Sequence, residues 1–337
     1  MKYKNLLILL VIVCFACDKS DDEDVCTKTN SDFASVSGWL QLESSTLSNL
    51  NIVTFLNDDI GLVYGSFGTL LKTNSGGLCW EELDVLRNEY NYSLLSEFYI
   101  LNENEIFASR IGFYKTTNGG KTFKEIETND VWGGSITFDM HFFNENRGII
   151  CKSGINLYKT EDGGLTWVNI YSYQYGPAQR LQFVTNTVGY LYGGSGREGF
   201  TSGSLHKTID GGDTWFKIES EPNITRASIR TMYFINENLG YFVNSLREFY
   251  VTENGGLTWT LRTTIEDTIL DMVFVDESLG YVVGGRSVYK TEDGGVSWTE
   301  DYKSTIGEGD LVLISITKTP NGSIFVVGDD GIILKKE

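Results

Sequence analysis

The phrase KTEDGGLTW (159–167) sets one acid, two glycines and a hydroxyl residue beside a tryptophan, and the chain then repeats it. KTIDGGDTW stands at 207–215, VTENGGLTW at 251–259 and KTEDGGVSW at 290–298, with weaker copies KTTNGGKTF at 115–123 and KTNSGGLCW at 72–80. The closing aromatics Trp80, Phe123, Trp167, Trp215, Trp259 and Trp298 are 43, 44, 48, 44 and 39 residues apart. Ahead of several copies runs a second phrase, MHFFNENRGII (140–150), MYFINENLGYF (232–242) or MVFVDESLGYV (272–282). Each unit thus reads as an apolar strand, an Asn/Asp-rich turn, a second strand, a loop, a third strand, the DGG turn and a fourth strand. Four short strands in a unit of this length are the sequence form of a β-propeller blade.

The ends supply the blade count. After Trp298 come three strands, LVLISITKT, SIFVVGD and GIILKKE, and the chain stops one short of a blade. Before the first full repeat stands a lone strand, SGWLQLE, whose Trp39 lies 41 residues before Trp80. The expectation is an all-β, seven-bladed propeller over 36–337, its last blade closed by the N-terminal strand, because a closed ring leaves no large open sheet edge. Thirty-seven glycines, three prolines and 13% aromatics suit a chain of short strands and tight turns.

The repeated phrase resembles the Asp-box, or BNR repeat, Ser/Thr-x-Asp-x-Gly-x-Thr/Ser-Trp. Its acid can accept backbone N–H groups within a hairpin, and its tryptophan can bury a large apolar area. Asp162, Asp210, Asn254 and Asp293, with Trp167, Trp215, Trp259 and Trp298, carry the four best copies. Asn118 and Asn254 replace the acid in two copies and Ser75 in a third. A divalent-metal ligand tolerates neutral replacement poorly and a turn acceptor tolerates it well. The phrase is therefore read as structural, with no metal and no cofactor expected.

In a four-stranded blade, the first-to-second and third-to-fourth turns share one face. The inter-blade and second-to-third connections share the other. The repetitive turns thus fall together, and the variable segments fall opposite: 84–93, 128–135, 171–180, 193–204, 219–230 and 304–310. That variable face offers Tyr90, Tyr92, Trp132, Tyr171, Tyr173, Tyr175, Arg180, Arg197, Arg226 and Arg230. Aromatics and arginines are the usual anchors of binding surfaces, and tyrosines also stack on sugars or pack ordinary loops.

Enzymatic motifs are weak by comparison. Sialidases also carry Asp-boxes, but SRIGF at 109–113 lacks the proline of their Arg-Ile-Pro phrase, and they have six blades. Asp-box xyloglucanases place their carboxylates between two propellers, and one is expected here. Glycoside hydrolysis needs two acids at a suitable separation; Asp130, Glu198, Asp267 and Asp310 are candidates that no spacing pairs. His141 and His206 read as packing residues, and no zinc, triad or phosphate-loop spacing is present.

The start, MKYKNLLILLVIVCFAC, has two lysines and an apolar run too short for a comfortable membrane span. Ala16–Cys17 resembles a bacterial lipobox, which implies a signal peptide over 1–16 and lipidation of Cys17; an ordinary signal peptide is the alternative. Residues 17–35 form an acidic tether resembling the surface-export signals of Bacteroidetes lipoproteins. The net charge of −18 becomes −20 once Lys2 and Lys4 leave with the leader, which disfavours nucleic acid as a partner. Of the remaining cysteines, Cys151 aligns with Val243 and Val283 and is expected to be a buried thiol. Cys79 replaces the hydroxyl residue of the first Asp-box, next to the closing blade whose strand begins about ten residues after Cys26. A Cys26–Cys79 disulfide is one reading, and two free thiols the other.

Repeats such as GYVVGG…VYKTEDGGVSW resemble the photosystem II stability/assembly factor family over about 36–337. The resemblance implies a seven-bladed propeller that binds a membrane-protein assembly intermediate without catalysis. The family's basic patch maps loosely onto Arg180, Arg226 and Arg230, while the acidic chain and lipobox depart from a phototroph's partner. The expectation is a monomeric, lipid-anchored outer-membrane scaffold engaging an envelope protein. A surface glycan-binding or glycan-cleaving propeller is the alternative.

Overall fold

A hairpin of one acid and two glycines has to satisfy several backbone N–H groups at once, and the computed structural model shows how. It describes residues 26–83, 95–110, 112–128, 137–152, 156–172, 178–193, 204–220, 227–305 and 311–337. In the copy at 159–167, Thr160 Oγ1 accepts the N–H of Gly164 at 2.9 Å and donates to Asp162 Oδ1 at 2.8 Å. Asp162 Oδ1 also accepts the N–H of Thr166, and its Oδ2 takes the Thr166 hydroxyl at 2.6 Å. Asp210 and Asp293 repeat the pattern with Thr214 and Ser297. Asn254 keeps it with one donor reversed: Oδ1 accepts the Thr258 N–H, and Nδ2 donates to the Thr258 hydroxyl at 2.8 Å. Asn118 does the same with Thr122. The neutral replacements therefore preserve a turn.

Each such turn is tied to two neighbours. Within the blade, the N–H of Gly163 donates to the Asn146 carbonyl at 2.8 Å, and Gly255 and Gly119 donate likewise to Asn238 and Asn104. The two repetitive turns thus share one face and hydrogen-bond to each other. Towards the preceding blade, Gly164 has a φ of +95° and lies so close to Phe113 that a Cβ would sit 2.1 Å from its ring. Trp167 meets the same Phe113 edge-on at 5.2 Å. Gly295 and Trp298 bear on Phe249 in the same way, at 2.1 Å and 5.2 Å. Only glycine permits this approach and this φ together. Cations complete the joint from the preceding blade: Lys72 donates to the Gly119 carbonyl at 2.8 Å, Arg147 to Gly211 at 2.9 Å and Arg262 to Gly294 at 2.6 Å.

The described residues form seven antiparallel sheets, six of four strands and one of five. Their innermost strands are Leu50–Phe55, Leu95–Ile100, Thr137–Phe142, Ala178–Phe183, Ile229–Phe234, Asp271–Phe274 and Leu313–Lys318. The core lies between blades, where a second-strand aromatic stacks on the first strand of the next blade. Phe107 on Phe142 (3.8 Å), Tyr190 on Phe234 (3.6 Å) and Tyr241 on Phe274 (3.8 Å) are three examples. Such contacts add about 0.5–1.5 kcal/mol each beyond their buried area.

Ring closure follows the sequence reading and adds to it. Trp39–Leu42 pairs with the last strand, Leu40 opposite Lys335 and Leu42 opposite Ile333. Trp39 is 1% exposed, donates its indole N–H to Asp301 at 2.8 Å and meets Tyr281 edge-on, so it fills the slot of the Asp-box tryptophans. The closing blade then gains a fifth strand, Ser35–Val36, which folds back through Ser37 and Gly38, both at positive φ. The boundary expected at residue 36 moves as well. Residues 26–35, assigned above to the tether, lie along the seam of the closing and first blades. There Phe33 packs against the cluster of Leu42, Trp80 and Phe325, and Asn30 Nδ2 donates to Glu337 at 2.8 Å. Cys26 and Cys79 are joined as a disulfide with Cα atoms 5.9 Å apart, and Cys151 is a buried free thiol opposite Asp139 in register.

Denaturant unfolding tests the turn, the glycine contact and the disulfide separately. Asp293→Ala should cost about 1–2 kcal/mol through its lost hydrogen bonds, and Asp293→Asn should stay within about 0.5 kcal/mol because Asn254 already performs the role. Gly295→Ala should cost about 3 kcal/mol through combined strain and overlap. Reducing the disulfide, which spans 53 residues, should cost about 4 kcal/mol in the chain-entropy treatment. An unchanged midpoint on reduction would contradict the seam's role in closure.

Candidate functional site

The innermost strands line the central channel, and one position recurs in all seven. In six blades the register slips by one residue near the start of that strand, a bulge that re-aims the side chain beside it. Opposite the fourth residue of each second strand stand Ile52, Glu97, Asp139, Arg180, Thr231, Asp271 and Ser315. These strands begin at the variable face, so the ring lies at that end of the channel. Arg180 is exposed, while Glu97, Asp139 and Asp271 are half-buried. The site is therefore enclosed by protein yet open to water.

Its electrostatics are set by one guanidinium among three carboxylates. Burial raises Asp139 above the ordinary carboxylate range, opposed by Arg180 and by the N–H groups of Leu181 and Met140. Both its oxygens are engaged, Oδ2 with Leu181 of the next blade and Oδ1 with Met140, each at 2.8 Å. Burial likewise raises Asp271, opposed first by the N–H of Ile316 in the next blade, at 3.0 Å; Met272 N–H and the Ser315 hydroxyl also bind it. Burial pushes Glu97 up to about 8, against the pull of Arg180 and with Asp139 reinforcing it, so Glu97 is largely protonated at neutral pH. Burial opposes the charge of Arg180, but Asp139 and Glu97 outweigh it and raise its pKa. Asp139 and Asp271 are thus fixed acceptors that staple neighbouring blades. Arg180 and Glu97 offer donors to a group entering the channel mouth. Among the described residues, no three acidic, histidine or cysteine side chains converge to hold a metal.

Of the ten candidates on the variable face, the structure describes Tyr171, Arg180 and Arg230. Arg180 is in the ring, and Arg230, exposed on the adjacent innermost strand, directly precedes ring member Thr231. Tyr90, Tyr92, Trp132, Tyr173, Tyr175, Arg197 and Arg226, with Cys17, lie outside the described residues, as do Asp130, Glu198 and Asp310. Tyr171 is half-buried and shares a 3.0 Å hydrogen bond with His206 Nδ1. Burial lowers both histidines to about 4, and His141 stacks on Phe183. Asp267 accepts the N–H of Thr268 in a surface loop. Glu97, Asp139 and Asp271 carry no motif in the sequence, although each directly precedes the Phe or Met that opens its apolar alternation.

Comparison with known proteins agrees with this architecture. A family model described as Photosynthesis system II assembly factor YCF48 matches residues 31–169 and 260–337, together more than half of the chain. Photosystem II assembly lipoprotein Ycf48 of Prochlorococcus marinus (strain NATL2A) is 33% identical over 72 residues, which are 21% of this chain and 21% of that protein. The chain thus aligns with about a fifth of the length of that curated relative. Among solved structures, YCF48 bound to D1 peptide superposes with a TM-score of 0.72 at 16% identity, covering 90% of this chain and 98% of that one. YCF48 from Cyanidioschyzon merolae gives 0.71 at 20% identity, covering 89% and 99%. A GH74 xyloglucanase from Xanthomonas campestris gives 0.61 at 13% identity, covering 85% of this chain and 52% of the enzyme. At these identities the structural likeness is one of fold.

Glu97 predicts a pH dependence. Its folded pKa lies above the ordinary 4.5, so folding favours the protonated form. That stability is whole below about pH 4.5 and is lost as pH climbs through about 8. Glu97→Gln should remove this slope and raise stability at pH 9 by on the order of 2 kcal/mol, discounted for water in the channel. Parallel stability curves for the two proteins between pH 5 and 9 would refute the assignment.

Proposed function

This chain belongs to the photosystem II assembly factor YCF48 family, and from that premise we propose that it is a non-catalytic binding scaffold of the bacterial envelope. It is held to the outer membrane by lipid on Cys17 and engages a peptide segment of a protein partner at the variable-face end of its channel. The observation that carries this reading is the division of labour between the faces. One face is occupied by turns that hydrogen-bond to each other and to the preceding blade. The other opens on a ring in which Arg180 is exposed and Arg230 stands on the next strand. A solved relative of the same fold is bound to a peptide, and the Prochlorococcus relative is called a lipoprotein; both lend support. The partner is identified here only by its chemistry, a segment able to accept hydrogen bonds from Arg180 and Arg230.

The test is site-specific photo-crosslinking in intact envelopes, with the probe at position 230 or at exposed Val296 on the opposite face. Protein-derived adducts should form from 230 and not from 296, and Arg180→Gln should reduce them about tenfold, the loss of one charge-assisted contact. Equal adducts from both faces would contradict the reading. Retention on a glycan array would favour a sugar binder, and release of product from a retained glycan would establish a hydrolase.

A further inference from the structure

The disulfide bears on how the propeller is presented to a membrane. Cys79 lies in the third-to-fourth turn of the first blade, its N–H bound to Ser75 Oγ at 3.0 Å. That turn belongs to the Asp-box face, opposite the channel mouth described above. Cys26 is joined to it, and the residues that follow are held in several further ways. Lys28 pairs with Glu43, Asn30 with Glu337, and Phe33 packs into the seam between the closing and first blades. The first described residue, Cys26, is therefore fixed on the Asp-box side of that seam.

We propose that the Cys26–Cys79 bond is an orienting latch, which turns the Asp-box face towards the lipid surface and the channel mouth away from it. The proposal rests on lipidation of Cys17. Cys26 lies nine positions beyond Cys17, and Ser35, the first strand residue, eighteen. At full extension these reach about 30 Å and about 60 Å. Without the latch, the anchor is restrained only by the exposed contacts of Lys28 and Asn30 and by the packing of Phe33, of which the ion pair contributes at most about 1 kcal/mol. With it, the reach is fixed covalently and begins on the Asp-box face. The first blade is also the one copy in which both partners of the Asp-box pair are changed, to Ser75 and Cys79. The thiol is thereby released from the turn and available to the tether.

Energy transfer to an acceptor lipid tests this on the full lipidated chain in phosphatidylcholine vesicles. One donor dye replaces the exposed Asn321 side chain, in the Asp-box-face turn of the closing blade, whose N–H meets Asp58 across the seam. A second, in a separate protein, replaces Leu47, 83% exposed on the variable-face connection across the same seam. Transfer from 321 should exceed transfer from 47 at least twofold, and the Cys26→Ser, Cys79→Ser pair should bring the two together. Equal transfer with the disulfide intact, or greater transfer from 47, overturns the orientation while leaving the anchor in place. Protein that does not enter vesicles, with Cys17→Ala behaving identically, overturns the anchor and the orientation with it.

Discussion

A glycine pressed against the side chain of the preceding blade is the contact on which this ring depends. Where Gly164 meets Phe113 and Gly295 meets Phe249, a Cβ would stand 2.1 Å from a ring carbon. The hairpin can enter that space only with a left-handed backbone and no side chain. Everything else in the phrase serves to hold the hairpin there. The acid and the hydroxyl residue close the turn, the first glycine donates to the neighbouring turn, and the tryptophan seals the same aromatic from its edge. A cation from the preceding blade then binds the turn's carbonyl from outside. What looks like a site when seen once is, repeated, the joint between sheets.

A ring built of identical joints leaves its last one to be made by the chain ends. On one side of the closing blade Trp39 takes the place of an Asp-box tryptophan against Tyr281 of the sixth blade. On its other side Phe33 packs into the seam with the first blade, and the disulfide fixes that seam covalently. The channel has its own version of blade-to-blade fastening. Asp139 holds Leu181 and Asp271 holds Ser315 and Ile316 of the next blade, so their charge is spent on structure. Arg180 and Glu97 remain for whatever enters.

The period of the Trp-bearing phrase, together with three strands at one end and one at the other, made the blade count and the closing strand legible. Cys79 was legible as the odd member of a repeated series. The ring was not, because it contributes one residue per blade and that residue changes type from Ile52 to Glu97 to Arg180. Three acids among 45 carry no signal in isolation. Their common position emerges only when the register of each innermost strand is known. Ser35–Val36 escaped for a different reason: two residues are too few to show alternation, and their pairing depends on Ser37 adopting a left-handed conformation that sequence does not announce.

The central claim is that one face builds the ring and the other does the binding. A substitution scan over both faces, reading unfolding free energy and partner capture on the same variants, addresses it most directly. The account predicts that Asp-box substitutions lower the two together. Substitution at Arg230, exposed beside the ring, should lower capture with stability unchanged to within about 0.5 kcal/mol, the usual range for a surface change. Loss of capture at the exposed turn residues Leu165, Leu257 or Val296, with stability intact, would contradict it.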